Sequence, residues 1–294
     1  MVMTDLTNFL TKKGFRKILD SSNHGKFIKA IRILSSFKWL SGLRLAKYTL
    51  ITVFLIPGQI AIMICYPRLA QVLPRFHHKV ATKLLGLRVT YRGYPITKGG
   101  ILYVANHISY LDIIALGSIL PARFIAKSDV AGWPIFGFLS KITRTIFLDR
   151  LATRAHQQIS LIKHCLQKSE PLLLFPEGTS SDGSRVLPFK TSLFAAPKAA
   201  DALIQPITIQ YTRLNGMPIE RSKKPLLAWY GNMDLAPHLW QALSLGTVDV
   251  EIQFHETVQP SNFSDRKQLA QHCRKKITAG MSLKNNTAHN LTSL

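Results

Sequence analysis

From Tyr48 to Tyr66, between Lys47 and Arg68, the chain carries no charged residue. That length is close to the ~20 residues a helix needs to cross the hydrocarbon core of a bilayer. Any fold open to this chain must therefore bury a long apolar helix or give it to lipid. Pro57 and Gly58 stand in the middle of the run, where a missing N–H and a flexible backbone kink or break a helix. A single span would also place a basic N-terminus and an equally basic remainder on opposite sides, against the positive-inside rule. The sequence thus favours two short helices dipping into one leaflet, ahead of a true span and of a buried helix in a soluble core.

Upstream, residues 1–47 carry Lys12, Lys13, Arg16, Lys17, Lys26, Lys29, Arg32, Lys38, Arg44 and Lys47 against only Asp5 and Asp20. Phe27, Ile31 and Leu34 fall at helical spacing, with Lys26, Lys29 and Arg32 on another stripe. That pattern suits a basic amphipathic helix lying on an anionic bilayer. It suits equally a helix packed on the domain with its charges in water. Across the whole chain 38 Lys+Arg oppose 15 Asp+Glu, a formal charge of +23. A field of that sign calls for an acidic partner: nucleic acid, anionic membrane, an acidic carrier protein or a phosphorylated substrate. Cys65, Cys165 and Cys273 lie far apart with no CxxC pair, which argues against a disulfide framework or a structural zinc and for a reducing, cytoplasm-facing setting. No cleavable signal peptide is evident, since the first long apolar run begins after Lys47.

From about Leu87 onward short β-rich runs alternate with helical stretches. Strands are expected at Leu87–Tyr91, Ile101–Val104, Arg123–Ala126, Thr145–Leu148, Leu172–Phe175, Leu203–Gln210, Leu226–Tyr230 and Val248–Phe254. Helices are expected near Tyr110–Leu120, Ile135–Lys141, Thr153–Gln167, Thr191–Ala200 and Asp265–Ala279. Such alternation argues for an α/β fold, a mixed sheet covered by helices, with an N-terminal helical membrane-associating segment. The organisation expected is a membrane-associating segment over 1–70, an α/β domain over 71–283 and a disordered polar tail over 284–294.

Two stretches carry groups able to do chemistry. In Ala105-Asn106-His107-Ile108-Ser109-Tyr110-Leu111-Asp112 a histidine follows an apolar strand, where α/β folds place ligand sites. A carboxylate five residues on can accept its Nδ1 proton and leave Nε2 to take a proton from a hydroxyl. Ser109-x-x-Asp112 also reads as a capping box, which would make Asp112 a helix-start residue and His107 its neighbour. Phe175-Pro176-Glu177-Gly178-Thr179-Ser180-Ser181-Asp182-Gly183 follows a second apolar strand and is rich in groups that bind phosphate or polyol. As a bare pattern it is also a good turn. Arg150 and Lys127, each closing a strand-like run, can clamp an anion or simply be solvated.

Taken together and in order, Asn106-His107-x4-Asp112, Phe147-x-x-Arg150, Phe175-Pro176-Glu177-Gly178-Thr179 and Ile204-x-Pro206-Ile207-x-Ile209 resemble the glycerolipid acyltransferase family, which includes the lysophosphatidic acid acyltransferases. The resemblance covers roughly Val89 to Tyr211. The stretch Ala126 to Pro134 and the Glu177–Gly183 block look closer still to bacterial members similar to lyso-ornithine lipid acyltransferases. The resemblance implies His107 as base with Asp112 its orienting partner. It implies an acceptor site of Phe175, Pro176, Glu177, Gly178 and Thr179, Arg150 on the acceptor's phosphate, and Lys127 as a further acceptor-site candidate. Lysophosphatidic acid is the first acceptor it implies, with phosphatidic acid as product, and a lyso-ornithine lipid the second, where Arg150 would meet a carboxylate. It also implies acyl-carrier protein or acyl-CoA as co-substrate, no metal or other cofactor, no nucleic-acid partner, and a place on the cytoplasmic face of the inner membrane. A serine hydrolase would need a nucleophile elbow, and no G-x-S-x-G occurs. A nucleic-acid module would need a signature that is equally missing. A non-catalytic membrane scaffold is disfavoured because His107 and Asp112 are both present.

Overall fold

A computed structural model describes residues 24–97, 99–149, 155–282 and 292–293. Helix α1 spans His24–Cys65, and a short 3-10 turn at Pro67–Leu69 leads into α2, Val72–Leu85. The break expected at Pro57 does not occur: the proline lies inside one continuous helix. Proline leaves one carbonyl of the preceding turn without its partner, at the cost of one bond within a helix of 42 residues. Gly58 is accommodated inside the same helix, where a Cβ would stand 3.5 Å from Leu73 of α2, an ordinary contact. The expected pair of short helices is thus replaced by a hairpin of α1 and α2. Its apolar part, Trp39–Cys65, is long and apolar enough to cross a membrane, and only 11% of it is buried. Leu50, Val53, Phe54 and Ile64 face outward, and exposed Leu69, Val72 and Phe76 extend this surface onto the turn and α2. The stripe Lys26–Leu34 lies on α1, but its side chains, like all of residues 1–23, are outside the described residues.

The sheet comprises β1 (Leu87–Arg92), β2 (Leu102–Ala105), β3 (Arg123–Lys127), β4 (Ile146–Leu148), β5 (Leu172–Leu174), β6 (Ile204–Leu214), β7 (Met217–Pro218), β8 (Val248–Phe254) and β9 (Thr292–Ser293). Its order is β4-β3-β5-β2-β6-β8-β1-β9, with β7 paired to β6. The pairs from β4 to β6 and the β8–β1 pair are parallel, whereas β6–β8 and β1–β9 are antiparallel. The mixed sheet is therefore as expected. β2 and β5 are buried along their whole length, as parallel strands covered on both faces must be. On one face α2, α3 (Leu111–Ile119) and α7 (Leu235–Ser244) share a core with β1, β6 and β8. On the other, α5 (Ala155–Gln167), α6 (Ala195–Ala200) and α8 (Arg266–Ser282) pack on β2, β5 and β6. A shorter helix, α4, runs over Phe136–Ile142. α1 is fastened to α7, where Ser41 Oγ donates to Trp240 O at 3.2 Å and Arg44 Nη1 to Leu243 O at 3.0 Å.

Three further expectations are corrected. Leu226–Tyr230 is not a strand but follows a 3-10 turn at Arg221–Leu226, and Trp229 N donates to Ile108 O instead of to a ladder. The helix expected at Thr191–Ala200 is divided into a 3-10 turn at Thr191–Phe194 and α6. The polar tail lies outside the described residues except for Thr292–Ser293, which pair with Tyr91 and Thr90 of β1 rather than being disordered.

Candidate active site

β2 ends at Ala105, and the sheet's pairing with β6 is continued by a side chain. The Asn106 amide donates to Ile209 O at 3.0 Å and accepts from Ile209 N at 2.9 Å. That clamp fixes the path of the next residue, His107, against β6. The backbone then turns into α3, and the carboxylate of Asp112, in the helix's first turn, reaches back over the loop. Asp112 Oδ2 accepts from Ile108 N at 2.6 Å, from Ser109 N at 2.9 Å and from His107 Nδ1 at 2.9 Å. Tyr211 Oη donates to the other oxygen, Oδ1, at 2.6 Å.

One carboxylate thus serves both the loop and the histidine: it accepts from Ser109 N just before α3 and from His107 Nδ1. Asp112 is fully buried and His107 is 18% exposed at its side chain. Since a carboxylate only accepts, the contact places the proton on Nδ1 and a lone pair on Nε2. The imidazole lies flat on Phe175, ring centres 4.1 Å apart and planes 16° apart.

The second block forms the other wall. Glu177 Oε1 accepts from His107 N at 2.8 Å and Oε2 from Leu187 N at 2.8 Å. Burial pushes its carboxyl up to about 7, while its two backbone donors pull the other way. Glu177 thus supports the backbone of His107, with both its oxygens already bonded to amides. Ser181 N donates to His107 O at 2.9 Å, closing the same loop from the far side. Gly178 has a positive φ of 68°, a conformation that glycine adopts without strain. The Lys190 side chain packs over it, its Nζ 2.7 Å from the position a Cβ would take.

His107 opens onto a cavity of about 1440 Å³ lined mostly by apolar side chains, larger than the ~300–1,000 Å³ of an ordinary small-molecule pocket. Lys127, Phe175, Gly178 and Thr179 line it too, whereas Pro176 and Glu177 stand behind the wall. Arg150 lies outside the described residues. From His107 a column of rings runs along the cavity through Phe175, Phe124, His78 and His77 to Tyr48 of α1. Sequence reasoning missed Tyr211, 99 residues beyond its partner, and Leu187, whose contribution is a backbone amide that no residue type announces. Among the described residues no group of His, Cys, Asp and Glu is placed to hold a metal ion.

An acyltransferase family model matches residues 86–210, a span from just before β1 into β6 that contains Asn106, His107, Asp112 and the Phe175–Thr179 block. A lyso-ornithine lipid O-acyltransferase of Brucella abortus is 40% identical over 215 residues, 70% of this chain and 80% of that one. A protein of the same name from Rhizobium meliloti is 38% identical over 79% of this chain and 82% of its own. A 1-acyl-sn-glycerol-3-phosphate acyltransferase of Neisseria gonorrhoeae is 30% identical over 66% and 74%. The crystal structure of the 1-acyl-sn-glycerophosphate acyltransferase of Thermotoga maritima superposes with a TM-score of 0.63 over 89% of this chain and 99% of its own, at 19% identity, and so supports the fold. With its sheet, its His107–Asp112 loop and four fifths of a 40%-identical relative in common, the chain belongs to the acyltransferase family and is an acyltransferase.

Proposed function

We propose that the protein transfers a fatty acyl chain from a thioester to the free hydroxyl of a lysolipid at a membrane surface, with His107 as general base. The observation that carries this reading is the His107–Asp112 pair placed at the wall of a large apolar-lined cavity that reaches α1. His107 Nε2 takes the hydroxyl proton as the oxygen attacks the thioester carbonyl. The tetrahedral intermediate then collapses, the C–S bond breaks, and the imidazolium returns its proton to the departing thiolate. Asp112, bonded to Nδ1, stabilises the transient imidazolium. Acyl-carrier protein or acyl-CoA serves as donor, and the formal charge of +23 suits either acidic partner. The thioester is a co-substrate, so the reaction as written needs no cofactor.

A lyso-ornithine lipid is the preferred acceptor. The two relatives of that name described above are 38–40% identical, against 30% for the Neisseria gonorrhoeae enzyme named for 1-acyl-sn-glycerol-3-phosphate. This reverses the order implied by the motifs alone, and lysophosphatidic acid is the second reading. Arg150 would meet a carboxylate in the first case and a phosphate in the second. The outward apolar residues of α1 and α2, together with exposed Ile135 before α4 and Phe136 and Phe138 within it, support membrane association, and the basic N-terminal segment supports the cytoplasmic face.

The test is acyl transfer in detergent with labelled acyl donor, each acceptor offered separately, and His107→Ala alongside. Transfer to lyso-ornithine lipid, lost in His107→Ala, is expected. Transfer to lysophosphatidic acid alone would establish the second reading, and a fully active His107→Ala would overturn the mechanism.

A further inference from the structure

Asp112 has four hydrogen-bond donors, and three of them come from its own loop: Ile108 N, Ser109 N and His107 Nδ1, all on Oδ2. The fourth crosses from another strand. Tyr211 is placed by the Asn106 clamp, which grips both backbone polar groups of Ile209. Side chains alternate along a strand, so the residue two positions on points to the same face as Ile209, toward the start of α3. Its hydroxyl arrives 2.6 Å from Asp112 Oδ1. Immediately beyond, the pairing of β6 with β8 shifts register between Tyr211 and Arg213, so the regular ladder ends at the residue that makes this contact. Burial and the neighbouring Asp112 charge hold the phenol well above its ordinary value, which keeps it a donor at neutral pH.

We infer that Tyr211 is a positioning residue of the transfer reaction: its hydroxyl, held on Asp112 Oδ1, meters how much of the carboxylate's charge reaches His107. The inference rests on the general-base reading given above. A hydrogen bond to one oxygen of a carboxylate draws negative charge toward that donor. Tyr211 and the imidazole therefore compete for the same charge from opposite sides. Removing the phenol O–H strengthens the hold of Asp112 on the imidazolium, and a more acidic phenol weakens it.

The ionisable groups around the pair come from four elements. Glu177 and Lys190 belong to the loops after β5, and Tyr110 stands at the start of α3, bonded to His238 of α7 at 3.0 Å. Lys127 lines the cavity from the end of β3, and Tyr211 itself comes from β6. Glu177 interacts electrostatically with His107 and Asp112, and Tyr110 with Tyr211. Both stay in place in the variants below, so the difference between variants isolates the Tyr211 hydroxyl.

The experiment follows kcat/KM against pH for the full-length enzyme in detergent. The acid limb of such a profile reports the base of the free enzyme. Tyr211→Phe is expected to move that limb to higher pH by roughly half a unit, with KM for donor and acceptor unchanged. Site-specific incorporation of 3-fluorotyrosine at position 211 makes a stronger donor and is expected to move the limb to lower pH. The opposed signs are the signature, because a residue that only props up the loop would lower stability without moving the limb. Should Tyr211→Phe fail to fold, the fluorinated variant, changed at one ring position, carries the test by itself. An acid limb that stays fixed in both, or shifts the same way in both, overturns the inference. His107→Ala runs beside them: activity persisting there would instead sink the general-base reading on which the inference depends.

Discussion

Asp112 joins a helix start to the proposed base, His107, and two substitutions separate these tasks. In Asp112→Asn the side-chain carbonyl can take the place of Oδ2 and keep its three N–H donors, two from backbone and one from His107. The amide then occupies the Oδ1 position, where the Tyr211 hydroxyl can rotate to accept instead of donate. The loop and the imidazole tautomer survive, and only the negative charge is gone. A hydrogen bond to a charged group contributes ~1.5–3 kcal/mol against ~0.5–1.5 for a neutral pair, so about 1–2 kcal/mol of imidazolium stabilisation is lost. At about 1.4 kcal/mol per decade this predicts a fall in kcat of roughly 5- to 30-fold. The acid limb of kcat/KM should move to lower pH by about one unit, since a proton on the base is no longer held by the charge. Asp112→Ala is a different perturbation. It leaves four donors in a fully buried site without a partner, at ~1–3 kcal/mol for each group that finds no water. That is a large share of the ~5–15 kcal/mol that holds a domain folded. The assay is the labelled acyl-transfer profile against pH, together with chemical unfolding of both variants. If Asp112→Asn kept full kcat with its acid limb unmoved, the charge would have no catalytic part. If it were as unstable as Asp112→Ala, the proposed exchange of partners would be wrong.

Two further outcomes follow from groups near this loop. Burial raises the Glu177 carboxyl from its ordinary 4.5 to about 7. A group raised on folding stabilises the protein below its unfolded value and loses that contribution as pH rises through the folded one, here about 3 kcal/mol between pH 4.5 and pH 7. Glu177→Gln cannot titrate and turns an NH₂ toward one of two backbone donors. It should therefore be less stable than wild type near pH 5 by a margin that narrows near pH 8, read from denaturant midpoints; a margin that widens would contradict the assignment. Gly117→Ala places a methyl 2.5 Å from the His78 ring, which also makes an edge contact with Phe124, so about 1–3 kcal/mol of stability should be lost to overpacking. Because Gly117 and His78 also line the cavity, turnover of long acyl chains should suffer more than that of short ones, and equal losses across chain lengths would count against a chain lying there.

What the sequence revealed of the fold and what it hid divide along a physical line. β8 alternates Val248, Val250, Ile252 and Phe254 inward with polar residues between them, and β2 and β5 are short apolar runs buried on both sides. Such elements are specified by their own residues. His107 and Asp112 are five positions apart, and a turn into a helix can bring them together, so the pair could be read locally even though distant residues hold it in place. Helix α1 differs from its expectation because one hydrogen bond lost at Pro57 is small against the rest of a 42-residue helix that continues on either side of it. The Leu226–Tyr230 run was apolar enough for a strand, yet Trp229 N is engaged by Ile108 O, a partner more than a hundred residues away. Tyr211 was hidden for the same reason: nothing around a tyrosine in a strand announces an aspartate at the start of a distant helix.

The long-range contacts explain why a motif of two residues needs the whole sheet. A five-residue loop carrying a buried carboxylate has no hydrogen bonds of its own to spare for holding a base still. β6 supplies them from one side through Ile209 and Tyr211, and the loop after β5 supplies them from the other through Glu177 and Ser181. His107 is thus gripped at its amide, its carbonyl and Nδ1, which leaves Nε2 as the one polar atom of the residue without an assigned protein partner among the described residues. The same ring stacks on Phe175, the first member of the aromatic column that leads to Tyr48 on α1. On the proposed mechanism, a histidine fixed at three points and an apolar wall extending from it to the outward apolar helix α1 answer two demands of one reaction: a hydroxyl to be activated at one end, and a hydrocarbon chain to be kept out of water along the rest.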